Sequence, residues 1–275
     1  IDGYLQGATV TRLNGSGNSV TTDANGQYTG LTGTGAIKVV GGIDKSTGQP
    51  FQGTLTAPEG ATVVTPITTL IHKLAGDNAT TTQVAAATST VLTKLGVSTS
   101  FDVLTKDPVV LAQTDATALD AYKAGVMVAT ALQVIAGGDA TKFTQAANAL
   151  VSVLGNTSNT DTGADVIINS LSSIVASVNP SASSDVSSLT SALATIATVN
   201  APSLVADSAG LTLTGLLGVA SITHWVWAGA SILSTLLVVV AAFAALLLAF
   251  LGGMRFERRR RWRAWRVRHR AFGER

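Results

Sequence analysis

The stretch ATVVTPITTLIHKLAG, residues 61–76, is where the hydrophobic pattern of this chain changes from that of β-strands to that of α-helices. Thr65 is a residue type that caps helix N-termini, and Pro66 follows at the first helical position, where a missing N–H is tolerated. The apolar residues after this cap recur on one helix face: Ile67, Leu70, Ile71 and Leu74. Gly76 then supplies a stop, so a helix is predicted between Thr65 and Gly76.

Residues 1–64, on the N-terminal side of this helix, predict a small antiparallel β-sandwich. Short runs rich in β-branched and aromatic residues alternate with clusters of Gly, Asn, Asp and Ser, which is the pattern of strands joined by turns. Asn25-Gly26 is the strongest turn signal, because both residues tolerate a positive φ. Strands are predicted at residues 4–13, 19–22, 27–31, 36–40, 51–56 and 61–64. Several short strands at this spacing favour a sandwich.

Residues 65–200, which begin with the predicted helix, indicate an α-helical bundle. Asp107 and Pro108 repeat the combination of cap and Pro before a short helical segment. Longer helices are predicted at residues 81–95, 115–136, 139–154, 163–178 and 183–199. Their faces are rich in Ala, Val, Leu and Ile, and the short loops between them favour antiparallel neighbours. The predicted fold class is therefore α+β.

The C-terminal part of the chain has the composition of a membrane anchor. Residues 226–251, VWAGASILSTLLVVVAAFAALLLAFL, contain no charged residue and exceed the about 20 residues that cross a bilayer as a helix. One C-terminal transmembrane helix is predicted at residues 225–253, preceded by a linker at 201–224 and followed by a basic tail at 254–275. A buried core helix is the disfavoured alternative, because four consecutive arginines follow so closely.

The charges divide the chain into two parts. The tail contains ten Arg and two Glu, a net charge of +8, whereas residues 1–253 contain eight basic and fourteen acidic residues, a net charge of −6. Because Lys and Arg stay on the cytoplasmic side of a membrane, the tail is predicted inside and the N-terminal domains outside. The tail suits contact with anionic lipid, and no nucleic-acid partner is predicted. The residues predicted at the membrane interface are Trp225, Trp227, Arg255, Arg258, Arg259, Arg260, Arg261, Trp262 and Trp265.

Two further features bear on the location of the protein. The chain has no Cys, which excludes disulfides and thiol chemistry. It begins with Ile1, and an outside N-terminus requires export, so we expect that a signal or a longer upstream region has been removed.

Three stretches of the N-terminal part resemble a known module: DGYLQGATV at residues 2–10, TTDANGQYTGL at 21–31 and GGIDKSTGQPFQGTLTAPEGATVVTPITTLI at 41–71. They resemble the carboxypeptidase-regulatory-like, transthyretin-like β-sandwich of large bacterial surface and adhesin-like proteins, in which a VTP-apolar-TTL element leads into an Ala/Thr-rich helical region. The resemblance implies a bacterial membrane protein with domains in the periplasm or at the cell surface. The C-terminal end is similar to bacterial sorting signals but has no LPxTG or Pro-Glu-Pro box, so a retained anchor is expected.

Catalysis and cofactor binding have little support in the sequence. His72 is expected on the surface beside Lys73, and the three His form no metal-binding or protease motif. The Gly-rich runs lack the phosphate-loop pattern and suit hairpin turns. Asp23 and Asn25 resemble the opening of a Ca²⁺ loop, but the remaining ligands are missing, so a plain turn is favoured. No catalytic residue, cofactor or metal is predicted.

The sequence therefore predicts a single-pass, externally exposed structural or adhesive protein with no catalytic activity. Its expected partners are the lipid bilayer and other proteins. The alternative is an accessory or scaffolding subunit of a larger membrane complex, since small residues in the span would allow close contact between helices. These small residues are Ala228, Gly229, Ala230, Ser231, Ser234, Ala241, Ala242, Ala244 and Ala245.

Overall fold

A computed structural model describes residues 4–198, together with the backbone of two strands at Leu204–Asp207 and Gly210–Leu213. The described chain is mixed α+β, with small antiparallel sheets followed by helices, which confirms the predicted class. The predicted transmembrane helix and basic tail lie outside the described residues, and both stay predictions.

Seven short strands at the start of the described chain form two antiparallel sheets. They are β1 (Leu5–Gln6), β2 (Thr9–Arg12), β3 (Val20–Thr21), β4 (Ile37–Val40), β5 (Ile43–Asp44), β6 (Gln49–Pro50) and β7 (Thr54–Ala57). One sheet has the order β3-β2-β4-β7 and the other has the order β1-β5-β6. In the larger sheet Val10 pairs with Val39 and Val39 pairs with Leu55, and all three side chains are buried. This row is the face that the larger sheet contributes to the core.

Glycines with a positive φ interrupt two of the predicted strands. The run at residues 4–13 is broken at Gly7, whose φ is 71°, and its two halves enter different sheets as β1 and β2. Residues 27–31 are not a strand, so that prediction is wrong. Gly30 has a φ of 75°, which is outside the range of a β-strand.

Two other parts of the β region also differ from the prediction. Residues 61–64 are not a strand, because the N–H groups of Thr62 and Val63 both donate to the carbonyl of Leu104, at 2.9 and 3.1 Å. The segment between the predicted strands at 36–40 and 51–56, where residues 44–50 are expected to form a turn, contains the short pair β5 and β6. Side-chain patterns could not reveal this pair, since each strand has only two residues.

Eight α-helices follow within the described residues. They are α1 (Pro66–Ala75), α2 (Thr81–Lys94), α3 (Pro108–Leu111), α4 (Ala116–Ala136), α5 (Ala140–Leu154), α6 (Ala164–Ile168), α7 (Leu171–Val178) and α8 (Val186–Thr198). The predicted first helix and those at 81–95, 115–136 and 139–154 are confirmed to within one residue at each end. Inside the predicted linker, β8 (Leu204–Asp207) and β9 (Gly210–Leu213) pair antiparallel.

Side-chain caps explain where the main helices begin. The Thr65 hydroxyl accepts the N–H of Thr68 at 3.1 Å, and the Thr68 hydroxyl accepts the N–H of Thr65 at 2.8 Å, which is a reciprocal capping box. Asp107, Asp115 and Asp139 each accept the N–H of the second residue of their helix, at 2.9, 2.8 and 2.7 Å. The caps read from the sequence at Thr65 and Asp107 are thus confirmed.

The last two predicted helices are divided differently in the structure. The predicted helix at 163–178 is two helices, α6 and α7, and the Ser170 hydroxyl donates to the carbonyl of Ile167 at 2.8 Å where they meet. Such a bond competes with the regular backbone hydrogen bonds of an α-helix. The helix predicted at 183–199 begins only at Val186, because a 3₁₀ turn at Pro180–Asp185 precedes it.

One continuous hydrophobic core joins the sheets to the helices. Helix α4 packs against α1, α3, α5, α6, α7 and α8, and fifteen of its 21 residues are buried. Among the described helices α4 alone has the length and composition of a membrane span, but 78% of its most apolar window is buried inside the fold. That burial is typical of a core helix.

Helix α1 covers the outer edge of the larger sheet with hydroxyl groups. Strand β7 is an edge strand, so backbone groups of Thr56 that face away from β4 need other partners. The N–H of Thr56 donates to the Thr69 hydroxyl at 3.0 Å, and the carbonyl of Thr56 accepts from the hydroxyls of Thr68 and Thr69 at 3.1 and 3.2 Å. The two threonines therefore replace the bonds of a further strand.

Candidate functional site

A cleft of about 600 Å³ opens between turns of the β region and helices α3 and α4. Its size is within the range of ligand-binding pockets, about 300–1,000 Å³. All three tyrosines of the chain, Tyr4, Tyr28 and Tyr122, line it together with Asp107, and we call it the tyrosine cleft. Apolar residues from β4, β7 and α4 complete the lining, among them Val39, Leu55 and Val126.

A hydrogen bond between Tyr4 and Asp107 joins the N-terminal strand region to helix α3. The Tyr4 hydroxyl donates to Asp107 Oδ2 at 2.8 Å, and Asp107 Oδ1 accepts the N–H of Val109 at 2.9 Å. Burial, and then the bond to Asp107, raises the pKa of Tyr4 well above its ordinary value, so the hydroxyl keeps its proton. A carboxylate has about four lone-pair sites, which leaves Asp107 able to accept from a further donor.

The electrostatic character of the cleft is set by Asp107. It is the only charged side chain among the described residues that line the cleft, and those residues include no Lys, Arg or His. Aromatic faces and a carboxylate both favour cationic groups. The cleft therefore suits a positively charged group better than an anion.

Tyr28 and Val110 are lining residues of the cleft that remain accessible to solvent. The Tyr28 hydroxyl donates to the carbonyl of Thr62 at 3.3 Å, and burial raises the pKa of Tyr28, an effect that the charge of Arg12 opposes. Val110 is 59% exposed, which is unusual among the large hydrophobic residues that the structure describes. The opening thus offers apolar surface beside the polar groups of the interior.

Asp23 and Asn25, the weak metal candidates, lie in a turn beside the cleft. Asp23 Oδ1 accepts the N–H groups of Asn25 and Gln27 at 2.8 and 2.9 Å. Gly26 has a φ of 69°, and a Cβ there would lie 2.6 Å from the Cβ of Tyr4. The described residues contain no group of three or more His, Cys, Asp or Glu that could hold a metal ion. The Asp23 carboxylate stabilises the turn that packs on Tyr4, and the absence of a metal stays a prediction.

His72 is buried, so the prediction of a surface histidine is wrong. It is 3% exposed, because α1 turns this side chain towards β7, where Nδ1 lies 3.0 Å from the Thr56 hydroxyl. Nε2 has no hydrogen-bond partner among the described residues and lies 3.4 Å from Oδ1 of Asp77. Burial lowers the pKa of His72, although the charge of Asp77 opposes this shift. His72 does not line the tyrosine cleft.

The predicted membrane-interface residues, from Trp225 to Trp265, lie outside the described residues. Their contact with lipid stays a prediction, as does the absence of a nucleic-acid partner.

Sequence reasoning missed the tyrosine cleft. Asp107 was recognised only as a helix cap, and Tyr4 and Tyr28 were assigned to strands. The cleft joins residues about 100 positions apart, as the contact between Tyr4 and Asp107 shows. The available signal was the small number of tyrosines, one of which, Tyr28, follows shortly after the turn at residues 23–26.

Comparison of the chain with known protein families, with curated proteins and with solved structures finds no match in any of the three. The resemblance to the transthyretin-like module therefore stays a prediction that rests on the residues quoted for it. Function has to be argued from the chain itself.

Proposed function

We propose that this chain is a membrane-anchored, externally exposed structural or adhesive protein that acts by binding and not by catalysis. The observation that carries the proposal is the uncharged run at residues 226–251, followed directly by a tail with a net charge of +8. An apolar helix of that length crosses a bilayer, and the arginines hold the tail on the cytoplasmic side. The unit at residues 4–198 then stands outside.

The character of the described residues supports a binding role. The tyrosine cleft offers aromatic, apolar and carboxylate surface, which is what recognition of another molecule requires. His72, the only histidine among the described residues, is buried on the face of α1 that packs on β7, where it contacts Thr56. Asp107 is held by Tyr4 and by the N-terminus of α3, and no described histidine lies in the cleft to act with it.

We further propose that the two sheets are the layers of a small sandwich of the transthyretin-like type, and that the helices form a bundle beside it. The buried row of Val10, Val39 and Leu55 supports one sheet face directed towards the core. The packing of α4 against six other helices supports the bundle. The anchor at residues 225–253 completes this architecture.

Carbonate extraction of membranes tests the anchor. The full chain should stay in the membrane pellet, whereas a chain that ends at residue 224 should be released. If both chains are released, the run at 226–251 is not a span and the proposal is wrong.

Purification in a mild detergent separates the main proposal from its alternative. A surface protein should elute without a stoichiometric membrane partner. An accessory subunit should instead bring a defined partner, and replacing Gly229 and Ala230 by Leu should then dissociate it, because bulky residues prevent close helix contact.

A further inference from the structure

The backbone on one side of the tyrosine cleft is unpaired. The N–H groups of Tyr28, Thr29 and Gly30 and the carbonyls of Tyr28 and Thr29 have no hydrogen-bond partner among the described residues. The preceding residue, Gln27, is fully paired. Its N–H donates to the carboxylate of Asp23, and its carbonyl accepts the N–H of Asp23. Backbone groups that are left without partners are open to pairing with another chain.

The other side of the cleft has a similar gap. Thr62 and Val63 donate to the carbonyl of Leu104, but within the described residues the N–H and carbonyl of Val64 and the carbonyl of Val63 have no partner. Within the described residues, the two sides are linked by the hydrogen bond of 3.3 Å from the Tyr28 hydroxyl to the carbonyl of Thr62. The backbone of a bound peptide could therefore form hydrogen bonds with unpaired N–H and carbonyl groups on both sides of the cleft.

The outer edge of the larger sheet at β7 does not offer such a site. There the hydroxyls of Thr68 and Thr69 already satisfy the backbone of Thr56. The contrast between a protected edge at β7 and unpaired backbone at residues 28–30 points to the cleft as the place where a strand is accepted.

The charge of the cleft indicates which side chains a bound peptide would carry. Asp107 is its only charged side chain within the described residues, and one carboxylate beside tyrosine rings favours Lys or Arg over Asp or Glu. Val110, 59% exposed, offers contact for an apolar side chain next to it.

We propose that the tyrosine cleft binds an extended peptide segment of another protein, which pairs with the backbone of residues 28–30 and places a Lys or Arg side chain at Asp107. Main-chain bonds supply affinity and the side-chain site supplies selectivity, as in other cases of strand addition. This inference rests on the proposed binding function and names the chemistry of its partner.

The test uses the full chain in nanodiscs of neutral phosphatidylcholine and three fluorescent hexapeptides. One alternates Val and Thr around a central Lys, the second has Glu in place of Lys, and the third is the Lys peptide with alternate amides N-methylated. Anisotropy titration should show saturable binding of the Lys peptide and at least tenfold weaker binding of the N-methylated one, because strand addition needs peptide N–H groups. Hydrogen exchange followed by mass spectrometry should show protection at residues 28–30 when the Lys peptide is bound.

Two variants separate the role of Asp107 from a general effect of charge. Asp107→Asn keeps a side chain that can cap the helix. It should lower the affinity for the Lys peptide about fivefold and should not lower the affinity for the Glu peptide. Asp185→Asn changes the net charge equally, but Asp185 lies in the 3₁₀ turn at Pro180–Asp185 and does not line the cleft, so binding should be unchanged. Circular dichroism checks that both variants are folded.

Equal binding of the N-methylated peptide would overturn strand addition, and an unchanged preference for Lys in Asp107→Asn would overturn the role of Asp107. Absence of any saturable binding would overturn the whole inference. Carbonate extraction does not depend on these titrations, so failure here is distinguishable from failure of the proposed membrane anchor.

Discussion

Replacing Thr69 by Val removes one buried hydroxyl and keeps the shape of the side chain. Thr69 is 0% exposed, and its hydroxyl is the acceptor for the N–H of Thr56, which is itself 6% exposed. The carbonyl of Thr56 keeps a donor in the Thr68 hydroxyl, and the carbonyl of Thr65 keeps the helical N–H of Thr69. The net loss is thus one acceptor for one buried donor. An unsatisfied buried group of this kind costs about 1–3 kcal/mol.

Urea unfolding followed by far-UV circular dichroism measures this loss in the full chain held in a neutral detergent. Tryptophan fluorescence is unsuitable, because all four tryptophans lie between Trp225 and Trp265. Thr195→Val is a matched control, since within the described residues the exposed Thr195 side chain bonds only to the carbonyl of Ser191 on its own helix, at 2.9 Å. The control should change the free energy of unfolding by less than about 0.5 kcal/mol. A Thr69→Val variant as stable as the control would refute the idea that α1 protects the edge of β7.

Three further predictions concern other parts of the chain. Because burial lowers the pKa of His72, the unfolded chain binds a proton that the folded chain does not, and the free energy of unfolding should fall as the pH drops below about 6.5. His72→Gln should flatten this pH dependence, which urea titrations at several pH values would measure. Gly26→Ala should destabilise the fold by about 1–3 kcal/mol more than Gly7→Ala. Both glycines have a positive φ, but only a Cβ at residue 26 would meet Tyr4. Equal shifts in melting temperature for the two variants would contradict this. A peptide of residues 254–275 should bind anionic vesicles less tightly when its four consecutive arginines, Arg258 to Arg261, are replaced by Ser, by about 1 kcal/mol per base. If the unchanged peptide binds neutral and anionic vesicles equally, the tail does not contact anionic headgroups.

Local signals in the sequence were sufficient where local interactions determine the structure. The helices that start after Thr65, Asp107, Asp115 and Asp139 were predicted well, because each cap bonds within its own first turn. Strands were predicted less well. Their existence depends on pairing with distant segments, and the extended run at residues 27–31 found no such partner in the fold.

Features created by tertiary contacts could not be read from the sequence. His72 looks like a polar residue on a short helix, and only the approach of β7 buries it beside Thr56. In the same way Tyr4 and Asp107 are separated by 103 positions, and only the fold brings them within 2.8 Å. The candidate site was missed for this reason, whereas the α+β class was predicted from periodicity alone.

Labelling of single introduced cysteines tests the membrane orientation most directly. The chain contains no Cys, so each introduced thiol is unique. Ala86→Cys places a thiol at an exposed position of α2, and Ala271→Cys places one in the basic tail. In cells whose outer envelope has been opened, a membrane-impermeant maleimide should label Ala86→Cys at once and Ala271→Cys only after the membrane is permeabilised. Labelling of Ala271→Cys in sealed membranes, with Ala86→Cys protected, would contradict the account of an external binding protein held by a C-terminal span.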